Sequence, residues 1–171
     1  MKKITSFCFA AGIILCLAVP RAFAAGNGQA AFDRLTSLAG HWESQSSNRQ
    51  KSTLDLELTS GGTALIEKFQ TTEDGKSVEM ITMYYLDGDQ LKLTHYCMAG
   101  NQPTLRGTYS PADNTITFDF IAATNLKTPG DGHMHHAVYT FLDNDHFKTY
   151  WTFMKDQKES FSEDVTFTRV K

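Results

Sequence analysis

The chain has 171 residues, 41% of them hydrophobic, and a formal net charge of −3 at pH 7. Acidic residues outnumber basic ones, and no cluster of lysines and arginines occurs, which argues against nucleic acid or an anionic membrane surface as a partner. The length is typical of a single domain with room for a hydrophobic core.

The first residues have the pattern of a secretory signal peptide. A short basic start precedes an apolar run over residues 7–19, and Ala22 and Ala24 are the small residues that a signal peptidase recognises. The apolar run is shorter than the roughly 20 residues that a membrane span needs. We therefore predict a signal peptide over residues 1–24 and a periplasmic or secreted domain over 25–171, with no integral membrane segment after signal removal.

Removal of residues 1–24 would leave 13 basic and 19 acidic residues, a net charge of −6. It would also remove Cys8 and Cys16, so that Cys97 would be the only cysteine of the mature chain. One cysteine cannot form an internal disulfide, and stability must come from a packed core. Free cysteine is among the most buried residue types, which favours a buried Cys97 over a reactive one.

The first predicted element is a short helix over 30–38, where Phe32, Leu35 and Leu38 recur at helical spacing before Gly40. The pattern indicates no second helix. After this segment the chain alternates between apolar and polar residues, which is the period of a β-strand with one buried face.

About ten strand segments follow, such as those with Leu54, Leu56 and Leu58 on one face, with Leu91, Leu93, His95 and Cys97, or with Phe161, Val165 and Phe167. Turn signals rich in Asp, Gly, Asn and Pro separate many of them, at 60–62, 73–76, 87–89, 111–114, 143–145 and 155–158. Consecutive hairpins form a sheet that curls, and closure removes its exposed edges. We predict an all-β fold: a single up-and-down antiparallel β-barrel of about ten strands with one short N-terminal helix.

Two connections are longer than a hairpin needs, at 98–103 and 122–132. Long loops in a barrel of tight turns often form a mouth or a lid. A surface loop without a function is an equal alternative.

A short helix, then Gly40-His41-Trp42, then a meander of strands to the C-terminal segment 167–170 resembles the calycin superfamily. In those lipocalin-like barrels a Gly-x-Trp at the start of the first strand plugs the barrel floor. The strand count is closer to the fatty-acid-binding-protein and nitrobindin-like branch than to eight-stranded lipocalins. Segments 93–97, 100–103 and 132–136 are similar to lipocalin-like β-barrels of uncharacterised bacterial exported proteins. The resemblance implies an interior cavity and no particular substrate.

Polar residues on apolar strand faces are candidates for ligand contacts, because a barrel of this size holds side chains or one small ligand. If their faces point inward, Glu67, His95 and Arg169 lie in the cavity, where an unpaired charge is costly. If the other face of a strand points inward, its polar residue lies in solvent instead. The resemblance implies that Arg169 is placed like the arginines that hold carboxylates in fatty-acid-binding barrels, although that family's arginine–tyrosine pair is not reproduced. The full set of predicted ligand contacts is Glu67, His95, Cys97, Asn101, His136 and Arg169.

Two histidines indicate a metal site. His133 and His135 are two residues apart, so on a strand they share a face and could hold one metal ion. With His41 or His95 as a third ligand they would form the three-histidine arrangement of a catalytic zinc. The alternative is an ordinary exposed pattern, because neither an H-E-x-x-H motif nor a cysteine pair accompanies them.

Haem is a further candidate, and it would need one axial histidine facing an apolar cavity. His136 and His146 are the candidates, by similarity to nitrobindin-like barrels. The sequence contains no C-x-x-C-H motif, so covalent c-type attachment is excluded.

The leading hypothesis is therefore an exported lipocalin-like protein that binds a small, partly apolar molecule inside the barrel. The alternatives are a metal-dependent or cofactor-free enzyme that uses the histidine cluster, or a barrel that binds haem non-covalently. The sequence favours neither zinc nor haem as a cofactor and leaves the oligomeric state open. The aromatic residues are assigned to core and cross-strand packing rather than to a ligand site: Trp42, Tyr84, Tyr85, Tyr96, Tyr139, Tyr150 and Trp151.

Overall fold

The structure is a computed structural model, and it describes residues 27–45 and 51–171. The predicted signal peptide and its cleavage site lie outside this part of the chain. Among the described residues there is no helix with the length and apolarity of a membrane span. The elements, in chain order, are α1 (Gly28–Thr36), β1 (Gly40–Gln45), β2 (Lys51–Thr59), a short 3-10 helix (Ser60–Gly62), β3 (Ala64–Glu73), β4 (Lys76–Asp87), β5 (Gln90–Tyr96), β6 (Gln102–Ser110), β7 (Thr115–Thr124), β8 (His133–Phe141), β9 (His146–Lys155) and β10 (Lys158–Arg169).

The ten strands pair into one closed antiparallel barrel, which confirms the predicted fold class. Each strand pairs with its neighbours in sequence, and β1 and β10 close the cylinder with Trp42 opposite Arg169. Closure pairs the two strands that would otherwise be the edges of the sheet. The predicted turn signals all fall at the junctions between strands: 60–62, 73–76, 87–89, 111–114, 143–145 and 155–158.

The helix α1 lies slightly earlier than the prediction of 30–38. It spans Gly28–Thr36, and Leu38 follows it in the turn that leads to β1, where the Leu38 N–H donates to the Leu35 carbonyl oxygen at 2.9 Å. Ala31 and Leu35 have no exposed surface. The apolar face of the helix therefore covers one end of the barrel, against β4, β5 and β6.

The Gly-x-Trp motif closes that same end. The Trp42 indole N–H donates to the Leu38 carbonyl oxygen at 2.7 Å, and the Arg169 guanidinium carbon lies 4.1 Å from the Trp42 ring centroid. Gly40 has φ of +133°, and a Cβ added there would lie 2.9 Å from an Arg169 nitrogen. Glycine adopts this backbone conformation more readily than other residues, and a side chain here would also come too close to the Arg169 guanidinium group. We refer to Gly40, Trp42 and Arg169 as the barrel floor.

Strand alternation directs the apolar faces into the barrel. Leu91 and Leu93 are fully buried, as predicted. The pattern was wrong at two positions: Leu58 is 44% exposed and Phe161 is 49% exposed. Both residues lie near strand ends: Leu58 is the penultimate residue of β2, and Phe161 is near the start of β10, where it stacks on Phe153 with ring centroids 4.9 Å apart.

Candidate functional site

An interior cavity of about 40 Å³ lies toward the end of the barrel opposite α1. This volume accommodates a few water molecules or one small chemical group. Met80 and Met134 have flexible side chains that can adjust to an occupant. The wall is mostly apolar and aromatic, and it consists of Leu54, Glu67, Phe69, Met80, His95, Met134, Tyr139, Thr149, Trp151, Glu163, Val165 and Phe167.

A row of three polar side chains lies beside the cavity. Glu67 of β3 is opposite Thr82 of β4, and Thr82 is opposite His95 of β5, so strand register alone makes them neighbours. All three residues are buried. The Thr82 hydroxyl donates to Glu67 Oε1 at 3.3 Å and lies 3.0 Å from His95 Nδ1.

Two tyrosines contact the other oxygen of Glu67. The Tyr84 and Tyr139 hydroxyls donate to Glu67 Oε2 at 2.7 and 3.0 Å, and they lie 2.6 Å from each other. The Trp151 ring packs edge-on against Tyr139, with ring centroids 6.3 Å apart. We refer to Glu67, Thr82, Tyr84, His95 and Tyr139 together as the Glu67 network.

Glu67 is 4% exposed, and its carboxyl group forms no ion pair with a described residue. Burial raises its pKa, and the hydrogen bonds from Tyr84, Tyr139 and Thr82 oppose this effect only in part. Burial also raises the pKa of both tyrosines, and the nearby Glu67 adds to this shift. The network therefore favours the protonated form of each of these acids.

His95 is a neutral histidine with one unused nitrogen. Burial lowers its pKa to about 4, so the imidazole carries no charge at neutral pH. Its ring centroid lies 5.2 Å from that of Trp151 on the cavity wall. Nδ1 contacts Thr82, whereas Nε2 is buried and has no hydrogen-bond partner among the residues that the structure describes. A buried polar atom without a partner is uncommon in folded proteins and points to a missing one.

The structure places Arg169 in the barrel floor and not in the cavity. Its Nη1 donates to the Ala39 carbonyl oxygen at 2.8 Å, Nη2 to that of Ser37 at 3.0 Å and Nε to that of Asn144 at 3.1 Å. The interpretation of Arg169 as a carboxylate ligand is therefore corrected. The residue lies at the end of β10, beyond the Trp42 ring that separates it from the interior.

His136 lies outside the cavity as well. A β-bulge between Met134 and His136 interrupts the alternation of β8, so Met134 lines the cavity while His136 pairs with Asp119 at 3.1 Å on the outer face. The sequence pattern could not show this extra residue.

Cys97 and Asn101 flank the loop after β5, and neither lines the interior cavity. Cys97 is a buried thiol, and burial raises its pKa, in agreement with the predicted unreactive cysteine. Asn101 Nδ2 donates to the Gly132 carbonyl oxygen at 2.8 Å, and Asn125 Nδ2 donates to that of Gly100. These bonds join the two long loops over one end of the barrel.

His133 and His135 are adjacent, as predicted. His133 Nε2 lies 3.1 Å from His135 Nδ1, and both rings pack on Phe120 with centroid distances of 4.7 Å. Within the described ranges no group of three or more His, Cys, Asp and Glu side chains could hold a metal ion. Of the expected third ligands, His41 pairs with Asp55 at 2.6 Å and His95 belongs to the Glu67 network. Metal binding by the two histidines stays a prediction.

The residues do not fit haem. His136 is on the outer face, and His146 contacts Asp143 at 2.9 Å in the turn before β9. His95 is the histidine that lines the cavity, but a cavity of about 40 Å³ is far smaller than a porphyrin ring, given that ligand sites for drug-sized molecules span about 300–1,000 Å³.

Sequence reasoning found Glu67 and His95 but assigned Tyr84 and Tyr139 to packing and did not single out Thr82. One signal was available. Thr82 and Tyr84 are two residues apart on β4, so they share a face, and their hydroxyls introduce polar atoms into an otherwise apolar interior.

No protein-family model matches the chain, and no curated protein matches it either. Solved structures do. Rv2717c from M. tuberculosis is 16% identical, with a TM-score of 0.62 over 82% of this chain and 98% of that one. A protein of unknown function from the DUF3598 family of Nostoc punctiforme is 13% identical, with a TM-score of 0.50 over 80% of this chain and 49% of that one, so the chain spans about half its length.

A looser match, with a TM-score of 0.38 and 13% identity, is EF1p2_mFAP2b bound to DFHBI, over 81% of this chain and 98% of that one. At these identities the first two likenesses show the fold alone. The chain thus shares its β-barrel fold with these two structures.

Proposed function

We propose that this protein is an exported lipocalin-like barrel, of the fatty-acid-binding-protein and nitrobindin-like branch, that binds a small, partly apolar molecule in its interior cavity. The observation that carries the proposal is His95 Nε2, a buried hydrogen-bonding atom without a partner, in a side chain that lines the cavity. Leaving such an atom unpaired costs about 1–3 kcal/mol, which a ligand that bonds to it would recover.

The cavity wall supports a particular ligand chemistry. It is mostly apolar with a few polar groups, which is the usual composition of small-molecule sites. No lysine or arginine among the described residues lines it, and Glu163 is an acidic group on the wall. A carboxylate would meet no positive charge there, in contrast to a fatty-acid site. We therefore propose a neutral or cationic ligand with a hydrogen-bonding group beside His95.

The first experiment is native mass spectrometry of untagged protein as purified, with an absorption spectrum and elemental analysis of the same sample. A retained organic molecule without metal supports the proposal and identifies the ligand class. Stoichiometric zinc would instead favour an enzyme or metal protein based on His133 and His135. A Soret band would favour the haem alternative and contradict the exclusion of haem by cavity size.

Direct binding tests the ligand chemistry. Phenol, toluene and benzoate have similar shapes but differ in hydrogen bonding and charge, and nuclear magnetic resonance can detect their binding at millimolar concentration. Each is larger than the cavity of about 40 Å³, so binding requires the flexible side chains of Met80 and Met134 to move aside. We expect phenol to bind about tenfold more tightly than toluene, because only phenol can pair with His95 Nε2. Benzoate should bind least. The His95→Phe variant should remove the preference for phenol, whereas the matched variant His136→Phe, on the outer face, should keep it.

Equal binding of phenol and toluene by the wild-type protein would contradict the role of His95. Failure of all three probes, together with a clean ligand-free mass, would contradict a binding function for the cavity.

A further inference from the structure

Glu67, Thr82 and His95 form a continuous line of hydrogen bonds, and both of its end residues, Glu67 and His95, line the cavity. Glu67 Oε1 lies 3.3 Å from Thr82 Oγ1, which lies 3.0 Å from His95 Nδ1. Nε2, on the other side of the imidazole ring, has no partner. A hydroxyl between two groups can donate to only one of them and accept from the other, so the direction of one hydrogen bond fixes the direction of the next.

This geometry allows two arrangements of protons. When Glu67 is a carboxylate, Thr82 donates to it, His95 Nδ1–H donates to Thr82, and Nε2 is a bare acceptor. When Glu67 is protonated, it donates to Thr82, Thr82 donates to His95 Nδ1, and the histidine proton is on Nε2, which is then a donor. The imidazole is neutral in both arrangements, and they differ by one proton.

We propose that Glu67, Thr82 and His95 form a proton relay, through which a proton delivered to His95 Nε2 from the cavity is stored on Glu67. In the forward direction a bond between the donor and its proton breaks as the Nε2–H bond forms. The Nδ1–H proton moves to Thr82 Oγ1, and the Thr82 hydroxyl proton moves to Glu67 Oε1. The reverse sequence returns the proton, and the cycle needs no oxidant, reductant or further reactant.

The surroundings of Glu67 favour storage of a proton. The titratable groups that face it are Tyr84 from β4, His95 from β5 and Tyr139 from β8, and the two tyrosines hydrogen-bond its other oxygen. Glu163 of β10 lines the same cavity, and burial together with the nearby Glu73 raises its pKa. No described lysine or arginine lines the cavity to hold Glu67 ionised.

The pKa shifts of Glu67 and His95 agree with a relay in which no imidazolium ion forms. Burial raises the pKa of Glu67 and lowers the pKa of His95. The added proton is therefore more stable on the carboxyl group than on the ring.

Such a relay supplies acid–base chemistry to a bound molecule with an O–H, an N–H or an activated C–H group. The same Nε2 atom removes a proton in one arrangement and gives one back in the other.

The relay can be tested in the ligand-free protein, so its outcome is separate from that of the ligand-binding experiments. Nitrogen-15 chemical shifts distinguish a protonated from an unprotonated ring nitrogen, and a carbon-13 label reports the titration of Glu67. We expect the proton of His95 to move from Nε2 to Nδ1 at the same pH at which Glu67 ionises, with no imidazolium at that pH.

Variants sharpen the test. Thr82→Val removes the connecting hydroxyl and should uncouple the His95 tautomer from Glu67, whereas Thr82→Ser should keep the coupling. Glu67→Gln should make the tautomer independent of pH. Thr152→Val, a matched change of a buried threonine that does not line the cavity, should leave the switch unchanged.

A single His95 tautomer throughout the Glu67 titration would overturn the proposal. So would an imidazolium that forms as Glu67 becomes protonated, or a Thr82→Val protein whose tautomer still follows Glu67.

Discussion

The hydroxyl oxygens of Tyr84 and Tyr139 lie 2.6 Å apart in the barrel interior, although 55 residues separate the two tyrosines in the chain. The two residues come from β4 and β8, which are not neighbours in the sheet. Both hydroxyls also contact Glu67 Oε2, at 2.7 Å from Tyr84 and 3.0 Å from Tyr139. The Glu67 network thus connects opposite walls of the barrel beside the cavity.

Loss of either tyrosine hydroxyl should destabilise the protein. We expect Tyr84→Phe and Tyr139→Phe each to lower the free energy of unfolding by about 1–2 kcal/mol, since each leaves buried acceptors less well satisfied. The double variant should lose less than the sum of the two, because the tyrosines share one network. Urea denaturation measures this. The control is Tyr85→Phe, in which a half-buried tyrosine that contacts Thr94 at 3.2 Å loses its hydroxyl; a loss as large as that of Tyr84→Phe would refute a special role for the network.

Stability should fall in acid because of His95. Its pKa is about 4 in the folded protein and close to the ordinary value of 6.5 in the unfolded chain, so the unfolded state binds more protons between these values. The stability that neutral His95 provides is complete above pH 6.5 and is lost as the pH falls to about 4, by up to about 3 kcal/mol. Denaturation measured across this pH range should show that the free energy of unfolding falls less for His95→Phe than for the wild type. His136→Phe, a change of a half-buried histidine on the outer face, should show the wild-type loss, and identical slopes for all three proteins would contradict the prediction.

Glu67 should have the opposite effect on pH dependence. Its pKa is raised from 4.5 by burial, so the folded state binds more protons. The corresponding stability is present below pH 4.5 and is lost as the pH rises through the raised pKa. Glu67→Gln has no proton to lose, and its stability relative to the wild type should therefore increase with pH above 4.5. A stability difference that stays constant from pH 4.5 to 9 would show that Glu67 titrates normally.

Arg169 should matter for stability and not for ligand binding. Arg169→Met removes three hydrogen bonds from a guanidinium to backbone carbonyl oxygens and its contact with the Trp42 ring, and we expect a loss of about 2–4 kcal/mol. Arg106→Met, on the exposed face of β6, should cost less than about 0.5 kcal/mol. Thermal denaturation compares the two variants, and phenol affinity should be unchanged in both. If the folded Arg169→Met protein bound phenol more weakly than the wild type, Arg169 would have to be assigned to the ligand site.

The local pattern of the sequence was sufficient for the fold and for two residues of the site. Period-two alternation places His95 on the same face as Leu93, and tight turns predict that sequential strands pair. Cross-barrel contacts such as that of Tyr84 with Tyr139 depend on the curvature of the whole sheet, which no local pattern contains. His136 was misplaced because a single extra residue at a bulge reverses the facing of the residues after it. Arg169 was misplaced because alternation indicates which face of a strand a residue occupies, but not how far along the barrel axis that residue lies.

The barrel floor joins β1, which is synthesised before the other nine strands, to β10, which is synthesised after them. Arg169 donates to the carbonyl oxygen of Ala39, 130 residues earlier, and β10 completes the cylinder by pairing with β1. Contacts of such long sequence separation carry a large entropic cost and form slowly. During synthesis the hairpins can form one after another, but the cylinder stays open along the β1–β10 seam until the final strand is free. The pairing of β10 with β1 therefore decides when the cavity first becomes enclosed.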